Sequence, residues 1–566
     1  MAESPLVLGP MLRHVDETSA SIWVETHSSG TVRVRAGGRA WSARTFRVHD
    51  HHYALVEVDG LEPDSVLPYE VDVDGVTAWP RAEPDPGDDF VAPASVIATR
   101  TPGRRLRLAY GSCRTSVPHD SHGNRTHGVD AMRTFALAMA AGDEERPDLL
   151  LFLGDQVYAD LTSKEMQDFI RSRRDIHEEP GKELKDYEEY AHLYQLAWSD
   201  GANRWMLSTV PTAMIFDDHD VRDDWNASLD WKREMEATSW WHGRIVAGLG
   251  SYWVYQHLGN LSPSERAEDE LWQRVVAHDR EGAADELDLT EALDEFAERS
   301  DRDPASVRWS YSRDLDDVRL IVVDSRAARD LTPTARGLLD RDELAWFDEQ
   351  LRGGFRQVII ATSLPFLLPM GLHHVEAWDE AISQGAWGRP AARIGERLRQ
   401  AVDLEHWAAW EHTFQAVARM VSELADGARG PAPQNVLFLS GDVHYSYLAE
   451  VERGHGGRIL QAVCSPVRNP LPRFLRWFAV VMSYGVATPV GAAAARSAKV
   501  PDAPFEWHTV KGPWFDNNLA LLRDGPDGLV LTWHTGVVDH GDERHPRLKE
   551  VASVTVPADR DVEITA

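Results

Sequence analysis

Cysteine is scarce. Cys113 and Cys464 are the only two in 566 residues, so a disulfide framework is excluded and a reducing compartment is the simpler expectation. Positive charge is also short. There are 59 Lys+Arg against 91 Asp+Glu, a formal net charge of −32. Such a surface repels a polyphosphate backbone and disfavours an anionic membrane, so no nucleic-acid-binding surface is expected. The N-terminus, MAESPLVLGPML, lacks a basic stretch followed by an apolar run. No signal peptide is read there, and the expected location is cytoplasmic, with peripheral membrane association left open. Long apolar runs are nearly absent. Trp477 to Ala495 is 19 residues without a charge, flanked by Arg473, Arg476, Arg496 and Lys499. That length could span a bilayer. However, the window holds Ser483, Gly485, Thr488, Pro489 and Gly491 and has no Leu or Ile. A helix packed on the protein or on a partner is the expectation, and no transmembrane span.

What is present suits a folded, multidomain chain. Hydrophobic residues make up 43% and charged residues 27%, enough to build a core. Residues 1–100 read as an N-terminal β-sandwich, in which Leu61-Glu62-Pro63 followed by Tyr69-Glu70-Val71 resembles the end of a fibronectin type III-like module. Ser21–Glu25, Thr31–Arg35, Tyr53–Val58 and Tyr69–Val73 alternate with period two between turn residues. Seven prolines and glycines between 80 and 104 break regular structure and mark a linker.

From 105 to 490 short apolar runs alternate with helical stretches: Leu106–Tyr110, Leu149–Leu153, Ala213–Phe216, Leu320–Val323, Val358–Ala361, Val436–Leu439 and Ile459–Val463. Apolar throughout, these suit strands buried on both faces of a layered α/β core. A helical, Trp-rich insert is expected over about 161–310, and a β-rich C-terminal extension over 500–566.

Ligands of α/β sheets lie beyond the carboxyl ends of the strands. The residues after each run are Gly111-Ser112-Cys113-Arg114, Gly154-Asp155-Gln156-Val157-Tyr158, Asp217-Asp218-His219-Asp220, Asp324-Ser325-Arg326, Thr362-Ser363 and Ser440-Gly441-Asp442-Val443-His444. Each alone reads as a turn, a cap or a core residue. Together they gather carboxylates that would repel one another, a conflict that multivalent cations remove. Tyrosinate and thiolate beside Asp and His suit iron. Asp-rich positions suit calcium, magnesium or manganese, and a shared carboxylate can bridge two ions.

This motif set resembles the PhoD-type alkaline phosphatases, a branch of the calcineurin-like metallophosphoesterases. Cys464–Pro470 and Gly512–Asn518 look like further segments of that family. The resemblance implies a phosphoric ester hydrolase, acting on monoesters, diesters or both through metal-activated hydroxide. It implies Asp155 as a bridge between Fe(III) and Ca(II), with Mg, Mn or Zn as alternatives for the second ion. Cys113, Tyr158 and His444 would hold iron; Asp218 and Asp442 would hold the second ion. His219 would act beside the scissile phosphate. Arg326, in the family's Asp-x-Arg, would orient phosphate or hold a structural ion pair. Asp217, Asp324 and Arg114 are further candidate contacts, and Trp378-Asp379 resembles another family position. Two departures stand out: Asp220-Val221-Arg222-Asp223-Asp224-Trp225-Asn226 replaces a motif ending in Glu and continuing Asn-Asn-Trp, and those relatives carry an export signal. The competing readings are a non-catalytic scaffold on the same fold and a serine hydrolase, though no Gly-x-Ser-x-Gly elbow occurs. The loop Pro118–His127 matches no zinc spacing and reads as a solvated rim.

Overall fold

The computed structural model describes residues 4–81, 89–282, 285–333, 335–402, 404–472, 476, 488–560 and 562–565. The N-terminal region builds nine strands: β1 (Leu6–Val15), β2 (Ala20–Thr26), β3 (Thr31–Ala36), β4 (Arg39–Arg44), β5 (Phe46–Val48), β6 (His51–Val58), β7 (Val66–Val73), β8 (Val76–Trp79) and β9 (Val96–Ala98). They form one sheet ordered β1-β2-β6-β5 and another ordered β4-β3-β7-β8, with β9 on β7. Alternation sets the packing: Val32 and Val34 are buried while Arg33 and Arg35 are exposed. Inward residues of both sheets, among them Ile22, Val34, Val56 and Val71, share one core.

The expected apolar runs all form strands. These are β10 (Arg107–Gly111), β11 (Leu149–Leu153), β12 (Thr212–Ile215), β15 (Val318–Val323), β16 (Gln357–Thr362), β17 (Asn435–Ser440) and β19 (Arg458–Val463). The remaining strands are β13 (Leu287–Asp288), β14 (Tyr311–Leu315), β18 (Ser446–Val451), β20 (Trp507–Trp514), β21 (Leu519–Gly525), β22 (Gly528–Val537) and β23 (Arg547–Pro557). Two core sheets result, ordered β12-β11-β10-β21-β22-β23 and β14-β15-β16-β17-β19-β18-β20. The pairs β10/β11/β12 and β15/β16/β17/β19 are parallel.

Side-chain alternation explains the layering. Leu320, Val322, Ile359, Ala361, Leu437 and Leu439 join the large core shared with Leu108, Leu150 and Phe152 of the other sheet. Ile321, Val323, Val358, Ile360, Val436 and Phe438 face a second core with Phe414 and Val421 of a helix over Glu411–Ala425. A strand buried on both faces reads as continuously apolar.

The C-terminal strands do not stand as a separate unit. β21 pairs antiparallel with β10, so the tail extends the first core sheet. The Trp-rich insert likewise packs on its neighbours. Trp198, Trp225, Trp253 and Trp309 are fully buried, and β13 pairs with β5 of the N-terminal region.

Of the apolar window at 477–495, residues 477–487 lie outside the described residues, and the rest falls in a helix over Thr488–Ser497. Among the described residues no helix is long and apolar enough to cross a membrane.

Candidate metal centre

Parallel strands deliver their carboxyl ends to one edge, and the loops that leave them are sharply bent. Cys113 after β10, Asp155 after β11, and Asp442 and His444 after β17 adopt left-handed backbone with φ of 57°, 52°, 64° and 55°. Non-glycine residues rarely sit there, and such strain clusters at functional sites. Gly441 has no freedom to be anything larger: a Cβ would lie 1.9 Å from Ser112 Oγ.

Three groups of potential ligands form, and they share members. Cys113, Asp155 and His444 make the first; Asp155, Asp218 and His219 the second; Asp217, Asp218 and Asp442 the third. Within each group the ligand atoms lie within 4.8 Å of one another. Tyr158 joins the first group, its Oη donating to Asp155 Oδ2 at 3.3 Å, and Cys113 Sγ lies 3.5 Å from the same oxygen. Asp155 and Asp218 thus link the groups into one chain of candidate metal positions.

Most of these side chains are buried. The site meets solvent where His219 and Asp442 keep 16% and 12% of their side chains exposed.

Donors are missing where a cation would supply them. Asp155 Oδ1 and Asp217 Oδ2 are buried without a hydrogen-bond partner, and Asp218 Oδ1 meets only the Arg326 guanidinium at 3.2 Å. Burial, reinforced by Asp217, Asp218 and Asp220 and opposed by His219, holds the Asp155 carboxyl well above the usual range. Burial likewise raises Asp217 and Asp218 against the pull of Arg326, and it drives the Cys113 thiol well up beside Asp155 and Asp442. A bound cation reverses each of these penalties, so the residues present fit a metal centre of mixed thiolate, phenolate, imidazole and carboxylate donors.

Other expected residues take supporting places. Arg326 is fully buried. It ion-pairs with Asp217, with Asp218 at 3.2 Å and with Glu405 at 2.5 Å, so three carboxylates surround its guanidinium. Asp324 accepts from the backbone N–H of Arg326, Ala327 and Ala328. Both its oxygens are used, and it shapes the turn that carries Arg326. Arg114 points away from the ligand groups. It donates to Asp130 through Nε and an amino group at 3.0 and 2.8 Å, and to Ala197 O at 2.7 Å. Asp220, the shorter residue of the altered motif, accepts from the backbone N–H of Asp155, Val157 and Asp217. It braces the ligand loops and does not enter a ligand group. Asp379 lies 3.9 Å from Arg399, away from these groups.

Four residues escaped the sequence reading. Asp160 holds His219 at Nδ1 at 2.9 Å and also accepts from Asp223 N–H. Its position in Gly154-Asp155-Gln156-Val157-Tyr158-Ala159-Asp160 was the available signal. Burial lowers the His219 pKa, but Asp160 and Asp218 outweigh it and raise it well above the ordinary value. Glu405 balances Arg326 and Arg329. His406 Nε2 donates to Asp442 Oδ2 at 2.8 Å, and its Nδ1 donates to Glu376 at 2.7 Å. Glu376 lies on a helix 30 residues earlier in the chain, and no local pattern announces it.

Residues 124–470 match the family model described as PhoD-like phosphatase. Residues 3–93 match one described as Domain of unknown function (DUF7800). Among solved structures the chain is similar to one titled "Structure of PhoD", at 13% identity and a TM-score of 0.59, covering 100% of this chain and 92% of that one. At this identity the likeness is one of fold. The type III pullulan hydrolase from Thermococcus kodakarensis aligns at 11% identity over 94% of this chain and 93% of that one. Its TM-score of 0.14 carries no argument. A comparison with curated proteins finds no match. With the matched segment spanning more than half the chain and containing all but one of the expected ligands, the chain belongs to the PhoD-like phosphatase family of metal-dependent phosphoester hydrolases.

Proposed function

We propose that this chain hydrolyses small phosphate esters, monoesters, diesters or both, at a multinuclear site. Cys113, Tyr158, His444 and Asp155 would hold Fe(III). Asp217, Asp218, Asp442 and the shared Asp155 would hold Ca(II), or Mg, Mn or Zn in its place. When bound, such ions supply Lewis-acid neutralisation of phosphoryl oxygens and lower the pKa of water toward about 7. The single observation carrying this reading is the run of buried carboxylate oxygens left without donors across linked ligand groups.

The chain's own residues supply the rest. Asp160 fixes Nδ1 of His219, which leaves Nε2 as the nitrogen able to donate a proton to a leaving alcohol oxygen. The Tyr158 ring lies against that imidazole with centroids 4.8 Å apart and limits its rotation. Arg326 offsets the charge of Asp217 and Asp218 from the protein side, so the carboxylates keep their places before any cation arrives. Asp220 holds the Asp155 and Asp217 loops together.

Elemental analysis, a visible absorption spectrum and hydrolysis of p-nitrophenyl phosphate and bis-p-nitrophenyl phosphate test the reading together. Iron with a tyrosinate and thiolate charge-transfer band, altered in Tyr158→Phe, supports the assignment. A colourless protein holding zinc alone overturns iron. Hydrolysis that survives both chelation and Asp155→Asn overturns the metal-dependent site.

A further inference from the structure

The acidic surface has a local exception. Three helices stack in the second half of the chain: α1 (Met370–Ser383), α2 (Arg389–Val402) and α3 (Thr488–Ser497). Both α2 and α3 pack on α1. A Cβ on Gly395 of α2 would meet Ser383 and Ile382, and one on Gly491 of α3 would meet His374 and Gly371. Trp387, in the turn between α1 and α2, hydrogen-bonds Ser497 O at the end of α3, which joins the turn to the third helix.

The outward faces are basic and apolar. On α2, Arg389, Arg393, Ile394 and Arg397 are exposed, while Gly395 and Arg399 turn inward. On α3, Val490, Arg496 and, just beyond its end, Lys499 are exposed, while Gly491 and Ala495 are buried. Within 384–402 and 488–499 there are six cations and one carboxylate, Glu396. Glu396 is already engaged by Arg399 and Ser228. Among the described residues, Arg389, Arg393, Arg397, Arg496 and Lys499 have no carboxylate partner, whereas ion pairs are common elsewhere on this chain. Beside these cations stand Trp387, Ile394 and Val490, which are 49%, 65% and 72% exposed.

We propose that the outward faces of α2 and α3 dock on an anionic lipid bilayer. The charge is complementary to acidic headgroups. The two aliphatic side chains and the indole suit the headgroup–acyl boundary, where an amphipathic helix seats its apolar residues. Nucleic acid would use the cations and could stack a base on Trp387, but it has no use for the exposed aliphatic Ile394 and Val490. The net charge of −32 does not prevent docking. At physiological ionic strength repulsion is screened beyond about 8 Å, so the nearest charges decide. The proposal is independent of the reaction at the metal centre, since none of these side chains belongs to it.

Co-sedimentation of the full-length protein with vesicles is the test. Vesicles of phosphatidylcholine with phosphatidylglycerol should bind it, vesicles of phosphatidylcholine alone should not, and raised salt should weaken binding. Each cation near an acidic surface contributes about fivefold, so the triple variant Arg389→Gln, Arg393→Gln, Arg397→Gln should bind about a hundredfold more weakly. Trp387→Ser with Ile394→Ser should also weaken binding to the acidic vesicles. A far-ultraviolet spectrum matching the parent shows that the variants are folded. Failure to bind acidic vesicles, or binding untouched by the triple variant, overturns the proposal. So does vesicle binding that ignores Trp387→Ser and Ile394→Ser, combined with tight binding of a single-stranded oligonucleotide, since that marks a general polyanion patch.

Discussion

Two buried polar clusters in this molecule are built on opposite rules. At the junction of the N-terminal region and the insert, one histidine, two glutamates and three tyrosines all meet partners. His51 bridges Glu25 at 2.7 Å and Glu188 at 3.1 Å, Tyr255 donates to Glu25 at 3.0 Å, Tyr53 meets Tyr255 at 2.9 Å, and Tyr187 donates to Tyr53 at 3.1 Å. At the ligand edge, carboxylates crowd together and Asp155 Oδ1 and Asp217 Oδ2 go without donors. A buried polar group left unpaired costs about 1–3 kcal/mol. The first cluster avoids that cost within the protein. The second accepts it, and the proposed cations would offset it. The completed network is a structural joint, and the incomplete one is a site.

The strongest way to break this contrast is Asp155→Asn. The carboxylate is shared by two ligand groups, so its loss should lower hydrolysis of a chromogenic phosphate ester by about 10³-fold or more, equivalent to about 4 kcal/mol of barrier. Metal content should fall with it. In protein stripped by chelator, the same change should raise the melting temperature, because one of several mutually repelling carboxylates is gone. A lowered melting temperature in stripped protein would mean that the ligand edge, like the junction, is internally satisfied.

The mirror experiment is Glu25→Ala. Its side chain is 1% exposed, and it accepts from both His51 and Tyr255. Removing one partner of a buried pair should cost about 3 kcal/mol, seen as a lower denaturation midpoint whether or not metal is present. Independence from metal separates the joint from the site.

Much of the site was legible because its ligands follow strands that are apolar throughout. Leu149–Leu153 is buried along its whole length, so Gly154-Asp155 marks the strand end in the sequence itself. The same reasoning applies at β17, where Asn435–Ser440 is buried along its whole length before Gly441-Asp442. Position at the strand end did not reveal direction. Arg114 follows Cys113 yet turns to Asp130, and Asp324 spends both oxygens on its own turn. Tertiary partners stayed hidden for the same reason. Glu405, His406 and Glu376 reach the site from helical segments and the turns beside them, where no strand end flags them. In the fold, the C-terminal strands were readable as strands, but their pairing with β10 was not. Residues so far apart in sequence as Arg107 and Arg523 leave no local trace of their pairing.

The junction also carries its own pH dependence. Burial alone would lower the His51 pKa, but hydrogen bonds to Glu188 and Glu25 raise it from 6.5 to about 9. A raised folded value stabilises the protonated form. Its contribution is fully present below about pH 6.5 and is lost as pH rises through about 9. With the ring only 21% exposed, the loss should be on the order of 2 kcal/mol, and His51→Gln should flatten the alkaline limb of the stability profile. An unchanged limb would show that the junction is held by its tyrosines instead.

The smallest expected effect lies where the two rules meet. Asp442 belongs to a ligand group, yet one of its oxygens is satisfied by the protein, since His406 Nε2 donates to Oδ2 while Glu376 holds Nδ1. This pair occupies Oδ2 of Asp442 and so fixes the orientation of the carboxylate. Outer partners of this kind tune metal affinity by about 10–100-fold. Glu376→Gln keeps the shape and an acceptor oxygen but removes the charge behind the imidazole. It should weaken metal retention against a competing chelator about tenfold, or about 1.4 kcal/mol, at the lower end of that range. His406→Ala should weaken it further, because Asp442 is then free to rotate. If both variants retain metal like the parent while losing thermal stability, the His406–Glu376 pair is a joint of the first kind that happens to end at the site.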